Sequence, residues 1–219
     1  MANAGFRQLF AAQTVSRWGD TFNAVAFVIV VFELTGSGVT VSGAVVMEIL
    51  PVLAFGFTAG TVVDRLPRRQ VMIAADLGRA VIAALLAIRP DRLWALYAAA
   101  FGLSALSVFF NPAAASITPD LVDDDELVGA NSAIWSAAVV SQIVLAPVAG
   151  AVVAGAGASI AFAINAASFL ISAAALIRLP VPNRPRPHQQ TRWAQAVEGV
   201  QVIRRSRFLS TLASVQALA

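Results

Sequence analysis

The stretch that decides the fold is residues 127 to 177, LVGANSAIWSAAVVSQIVLAPVAGAVVAGAGASIAFAINAASFLISAAALI, which carries no charged residue. A helix needs roughly 20 mostly apolar residues to cross a bilayer. This stretch is therefore long enough for two crossings, with the small, flexible Gly155-Ala156-Gly157-Ala158-Ser159 as the turn between them. A second uncharged stretch runs from Leu93 to Pro119. The whole chain agrees: of 219 residues 58% are apolar and only 12% charged, with a mean hydropathy of +0.77. A soluble domain runs near a quarter charged, so the composition excludes both a soluble globular domain and a disordered chain.

Working outward, the pattern predicts an all-α polytopic membrane protein with six spans. They cover about 9–34, 41–63, 70–88, 93–117, 127–153 and 159–178. The breaks between them are Thr35-Gly36-Ser37-Gly38, the charged turn Asp64-Arg65-Leu66-Pro67-Arg68-Arg69, Arg89-Pro90-Asp91-Arg92, and the acidic run from Asp120 through Asp123, Asp124, Asp125 and Glu126. The acids of that last run suit a helix N-terminus or are solvated, and they lack the alternation and glycine of a calcium loop. The first residues show no basic leader with a short apolar core and cleavage site, so no removable signal peptide is expected.

The chain has no cysteine, and all 15 of its basic residues are arginine. That rules out a disulfide framework, a thiolate metal site and a P-loop, which needs its lysine. One histidine, His188, cannot build a His-rich metal centre. No His-Glu-x-x-His or Gly-x-Ser-x-Gly motif is present, so no enzyme, cofactor or metal is expected. The sequence pI of about 10.9 invites a nucleic-acid reading, but the arginines sit mostly in loops. With the N-terminus inside, only Arg89 and Arg92 lie outside, Arg17 and Arg79 lie within spans, and every other arginine is cytoplasmic. The positive-inside rule reads this as an N-in protein of the inner or plasma membrane. Its partner is the lipid bilayer rather than nucleic acid.

After the sixth span the composition changes. Leu179-Pro180-Val181-Pro182-Asn183-Arg184-Pro185-Arg186-Pro187 is a linker unable to continue a helix. Trp193, Ala196, Val197, Val200 and Ile203 fall near helical spacing, which together with Arg204, Arg205 and Arg207 predicts an amphipathic helix on the inner leaflet. Residues 208–219 are uncharged, mostly apolar and too few to span. The expected organisation is a six-helix bundle over 1–178, a cytoplasmic linker over 179–207, and the start of a seventh helix over 208–219.

Charge inside a span needs a reason, because it costs about 2.5–3.5 kcal/mol at the bilayer centre on insertion scales. Arg17 and Asp20 share a face of the first helix, and Asp76 and Arg79 repeat the spacing on the third. Glu48 lies on the second helix without a local basic partner, and Glu33 near the outer end of the first. Helices four to six contribute no charge within their spans. Two readings stand. A carboxylate in a partly dry cavity wall can switch protonation as access alternates. A neutralising pair merely lets helices insert and pack. Asp76–Arg79 fits the second reading better. Asp20, about 16 Å from the inner helix end and near mid-membrane, fits the first, and Glu48 fits either.

The most specific motif is Gly60-Thr61-Val62-Val63-Asp64-Arg65-Leu66-Pro67-Arg68-Arg69. It resembles the signature loop of the major facilitator superfamily, with Pro67 where the pattern often has glycine. Trp18-Gly19-Asp20, Glu33-Leu34-Thr35-Gly36-Ser37, Ala75-Asp76-Leu77-Gly78-Arg79-Ala80 and Glu198-Gly199 resemble its drug, macrolide and siderophore exporter branch. Ala146-Pro147-Val148-Ala149-Gly150-Ala151 keeps the proline and one glycine of an exporter motif in the fifth helix. The fourth helix lacks the arginine that many proton-coupled members carry there.

The resemblance covers the whole chain but half of a family member, implying one of two six-helix bundles, each made of two inverted three-helix repeats. Pro51 with Gly56 and Gly60, and Pro147 with Gly150 and Gly155, echo such a repeat. The resemblance further implies a gating loop at Gly60, Asp64, Arg65, Arg68 and Arg69, a kink in the fifth helix at Pro147 and Gly150, and ion or substrate coupling at Arg17, Asp20, Glu48, Asp76 and Arg79. The expected function is the N-terminal half of a secondary exporter of small amphipathic molecules such as antibiotics or siderophores, driven by a proton gradient, with a missing C-terminal bundle as partner. The alternatives are the membrane domain of a pump energised by a separate ATPase, or a scaffold or inactive relic.

Overall fold

In lipid every backbone polar group must be satisfied within the protein, which leaves long apolar segments only the helix or a closed barrel. The computed structural model describes residues 4–180, and among these it holds six α-helices and no strand: α1 (Ala4–Thr35), α2 (Gly38–Arg65), α3 (Arg68–Ile88), α4 (Leu93–Leu121), α5 (Leu127–Ala156) and α6 (Ala158–Ile177). All six contain a window long and apolar enough to cross a membrane. The amphipathic helix expected near 193–207, the Pro/Arg-rich linker beyond Pro180 and the segment 208–219 lie outside the described residues.

Where the helices end follows from local chemistry. Gly36 and Gly157 adopt positive φ, 62° and 85°, a region where side chains with a Cβ clash. Gly157 alone joins α5 to α6. The helices run longer than expected at several ends. α1 begins at Ala4, so Asp20 lies about 24 Å along its axis. α4 continues through Pro119 to Leu121 and also holds Pro112, as membrane helices tolerate when neighbours supply polar partners. α5 runs unbroken through Pro147.

Short links between long helices make neighbours antiparallel, so α1, α3 and α5 run one way and α2, α4 and α6 the other. The strongest packing is of α1 on α6, α3 on α6, α2 on α4, α3 on α4 and α1 on α5. Exchanging α1, α2 and α3 for α4, α5 and α6 maps these pairs onto one another, with the helix directions reversed. This is the pairing pattern of an inverted three-helix repeat. α1, α3 and α6 are the best covered helices, whereas α2 and α5 leave most of their apolar surface open.

Alanine dominates the helix contacts: Ala12, Ala26, Ala44, Ala59, Ala75, Ala83, Ala99, Ala113, Ala149 and Ala161 are all buried. Small residues let backbones approach in a membrane, where helices gain little from hiding apolar surface. Gly19 takes this furthest. A methyl group there would lie 2.6 Å from Asn165 Oδ1 and closer still to Ser168 Oγ, both on α6.

The core is layered along the bundle axis. At the end holding Ala4, here the near end, Phe6, Leu9, Met72, Ile117, Leu121 and Leu176 form one apolar cluster. At the far end Phe22, Ala26, Val31, Leu86, Leu96 and Phe162 belong to another. Between them lies a buried polar belt of Ser16, Asp76, Arg79, Asn165, Ser168 and Ser172.

Candidate functional site

The belt is built around Arg79. Its guanidinium pairs with Asp76 one turn earlier on α3 and donates to Ser107 Oγ on α4 at 3.4 Å. It lies between two rings, 4.4 Å from the centroid of Phe110 on α4 and 4.5 Å from that of Phe169 on α6. Arginine stacks on aromatic faces in this way because its planar cation meets the negative face of the ring. The second oxygen of Asp76 accepts from Ser172 Oγ on α6 at 2.7 Å. Asp76 is fully buried and Arg79 nearly so, so the pair is held by α4 and α6 as well as by its own helix. Arg79 Nε and both side-chain polar atoms of Asn165 are buried without a hydrogen-bond partner among the described residues.

Arg17 and Asp20 have the same spacing and a different setting. No ion pair or hydrogen bond engages the carboxylate of Asp20 among the described residues. It is half-buried, within electrostatic reach of Arg79 and Arg17. Both residues line a cavity of about 570 Å³ between α1, α4 and α5, whose polar wall includes Gln13, Thr21, Asn111, Asn131 and Gln142 and whose apolar wall includes Ile134, Trp135 and Val139. Both also line a small pocket of about 30 Å³ shared with Ser16, Arg79, Ser107 and Phe110. Asp20 thus stands between the open cavity and the sealed belt. Trp18 Nε1 donates to Ser141 Oγ at 2.8 Å, tying α1 to α5 beside the cavity.

Glu48 is exposed on α2 and forms no ion pair with a described residue; its carboxylate is near enough to that of Asp20 for the two to repel. Its carbonyl accepts from Ser104 Oγ on α4 at 2.5 Å. Glu33 is exposed near the far end of α1.

The turn between α2 and α3 is knitted into its own bundle. Arg68 donates to the carbonyl of Ser116 at 3.0 Å and lies 3.8 Å from the Asp120 carboxylate, both on α4. Arg69 donates to the carbonyl of Leu179, just past α6, at 3.2 Å. Both arginines of the turn thus donate to backbone carbonyls at the near end of the bundle, where the negative end of the α4 dipole favours the Arg68 cation. Arg65 and Asp64 are exposed at the last turn of α2, and Gly60 lies one turn inside it. Pro147 is exposed on α5, and Gly150 has open space around its Cα.

Sequence reasoning missed the α4 and α6 members of the belt. Ser107, Phe110, Asn165, Ser168, Phe169 and Ser172 carry no charge and read as ordinary span residues. One signal was available: Asn165, Ser168 and Ser172 fall at helical spacing in the most apolar segment of the chain, where a polar stripe must face protein.

Six antiparallel spans, repeated pairing of two helix triplets and a polar belt opening on a cavity define a multi-pass membrane protein of transporter architecture. The chain belongs to the Major Facilitator Superfamily, whose family model matches residues 9–219. It is 28% identical over 216 residues to an uncharacterized MFS-type transporter, YfiS, of Bacillus subtilis (strain 168), covering 94% of this chain and 51% of that one. It is also 28% identical over 220 residues to macrolide efflux protein A of Streptococcus pyogenes, covering 97% of this chain and 54% of the relative. Among solved structures, the POT family transporter PepTSo superposes with a TM-score of 0.71 at 16% identity, over 85% of this chain and 40% of that one. The chain spans about half the length of the curated relatives it matches.

Proposed function

We propose that this chain is the N-terminal bundle of a secondary exporter of small amphipathic molecules, working by alternating access and coupled to protons through Asp20. The observation that carries the reading is the setting of Asp20: a carboxylate midway along a spanning helix, unpaired among the described residues and lining a cavity of about 570 Å³. Intramembrane carboxylates of this kind face cavities and serve ion pathways. The cavity wall mixes amides and a guanidinium with Trp135, Ile134 and Val139, which suits a substrate with both polar and apolar faces. The macrolide efflux relative supports the outward direction.

The roles divide by setting. Asp20 takes up and releases the proton, and Arg17 and Arg79 set the field around it. Asp76 and Arg79 form a structural strut. Glu48, exposed on α2 and within electrostatic reach of Asp20, is a second carboxylate for coupling. Arg68 and Arg69 hold the near-end loop to α4 and α6, while Asp64, Arg65 and Gly60 form its gating face toward a second bundle. Pro147 and Gly150 allow α5 to bend as the cavity opens.

Alternating access needs one bundle to rock against another, so the test uses a protein carrying both. Asp20→Asn keeps size and hydrogen bonding but removes the titratable charge. Gradient-driven uptake of a macrolide into everted vesicles should be abolished with expression unchanged; normal uptake with this variant sinks the coupling assignment. We also place the N-terminus in the cytoplasm, on the arginine distribution. With no native cysteine, Asp91→Cys gives a single reporter, which an impermeant thiol reagent should label in intact cells. Labelling only after the membrane is broken reverses the orientation.

A further inference from the structure

Arg89 and Arg92 are the two arginines that the topology leaves on the wrong side. They bracket the α3–α4 turn at the far end, both exposed, and among the described residues Arg92 pairs only with exposed Asp91, at 3.5 Å. Below them a groove of about 570 Å³ runs between α3 and α4, floored by Ile82, Leu85, Leu86 and Ala95, with Trp94 at its rim. It shares no lining residue with the central cavity. From Ile82 to Arg89 the groove extends about 10 Å along α3.

We propose that this groove binds a single anionic phospholipid of the surrounding leaflet, with its phosphodiester between Arg89 and Arg92 and one acyl chain along Ile82, Leu85 and Ala95. The shape matches an amphiphile: two guanidinium groups at one end and an apolar trough leading from them toward mid-membrane. Arginine forks pair with phosphate oxygens in bidentate fashion. Two guanidinium groups against the one carboxylate of Asp91 leave a single positive charge, which one phosphodiester balances. A phosphatidylglycerol headgroup adds no cation of its own, whereas the ammonium of phosphatidylethanolamine would face the same arginines and be repelled. Trp94, 73% exposed, sits where an aromatic ring meets the headgroup level.

Trp94 reports on the site directly. The 219-residue chain is placed in phosphatidylethanolamine nanodiscs containing a trace of lipid with brominated acyl chains, and the quenching lost in a Trp94→Phe variant isolates the Trp94 signal. Brominated phosphatidylglycerol should quench Trp94 at roughly 25-fold lower fraction than brominated phosphatidylethanolamine, about fivefold for each of the two arginines near the surface. Arg89→Gln with Arg92→Gln should make the two lipids equal, and lysine at both positions should keep most of the preference. Because both arginines are exposed, far-ultraviolet circular dichroism of the glutamine variant should match the parent. Equal quenching by the two lipids in the parent, or a preference that survives in the glutamine variant, overturns the proposal.

Discussion

Two pairs of charges, three residues apart on spanning helices, end up in opposite states. Asp76 and Arg79 are joined, buried and enclosed by rings and hydroxyls. Arg17 and Asp20 are not joined to each other and line a cavity. The order of the residues accounts for part of the difference. Long helical side chains lean back toward the helix N-terminus, so Arg79 reaches down to Asp76, whereas Arg17 leans away from Asp20. The neighbours account for the rest. α3 is packed against α4 and α6, which bring Ser107, Phe110, Phe169 and Ser172 to its pair. α1 presents Arg17 and Asp20 to the gap between α4 and α5. Spacing places two charges on one face; their order and the helices opposite decide whether they become a strut or a site.

The most severe test exchanges the inner pair, Asp76→Arg with Arg79→Asp. Charge and spacing are conserved, but the arginine would lean away from its partner and both charges would lose the groups built around them. Breaking a buried pair typically costs about 3–5 kcal/mol, and this exchange strands both members, so yield and detergent melting temperature should fall further than in any single variant. A silent exchange would show that order is irrelevant. Next comes Asp76→Asn, which strands only Arg79 and should cost about 3–5 kcal/mol, read as lower yield and a lower melting temperature. Smallest is the effect of Asp20→Asn on the same melt, within about 0.5 kcal/mol of the parent because no described partner is lost. If Asp20→Asn and Asp76→Asn destabilise alike, the division into strut and site fails.

Much of the fold is legible in the sequence because it depends on length and local backbone chemistry. The uncharged run from Leu127 to Ile177 sets two spans, and the positive φ of Gly157 sets the turn between them. The positions of Asp20, Asp76 and Arg79 within spans are equally visible, since a charge in an apolar run cannot hide. What is not legible depends on helices far apart in sequence. Ser172 lies 96 residues from Asp76, and Arg69 finds the carbonyl of Leu179 at a separation of 110; no local rule links either pair. The continuation of α4 past Pro119 is likewise unreadable, because the proline's local preference to end a helix is overridden by packing of Leu121 in the near-end cluster. The asymmetry between the two charge pairs lies between these cases: residue order was visible, and its meaning required the direction in which side chains lean.

The link between α5 and α6 has a mechanical consequence. With Gly157 as the sole linking residue, Ala156 and Ala158 cannot separate by more than about 7 Å. At its other end α5 is tethered to α4 through residues 122–126, which would allow a separation of about 21 Å if fully extended. α5 is therefore leashed tightly at one tip and loosely at the other, like an oar in its lock. Any swing of its loosely tethered end would be levered about Gly157, along the cavity wall to which Trp135 and Gln142 contribute opposite Asp20.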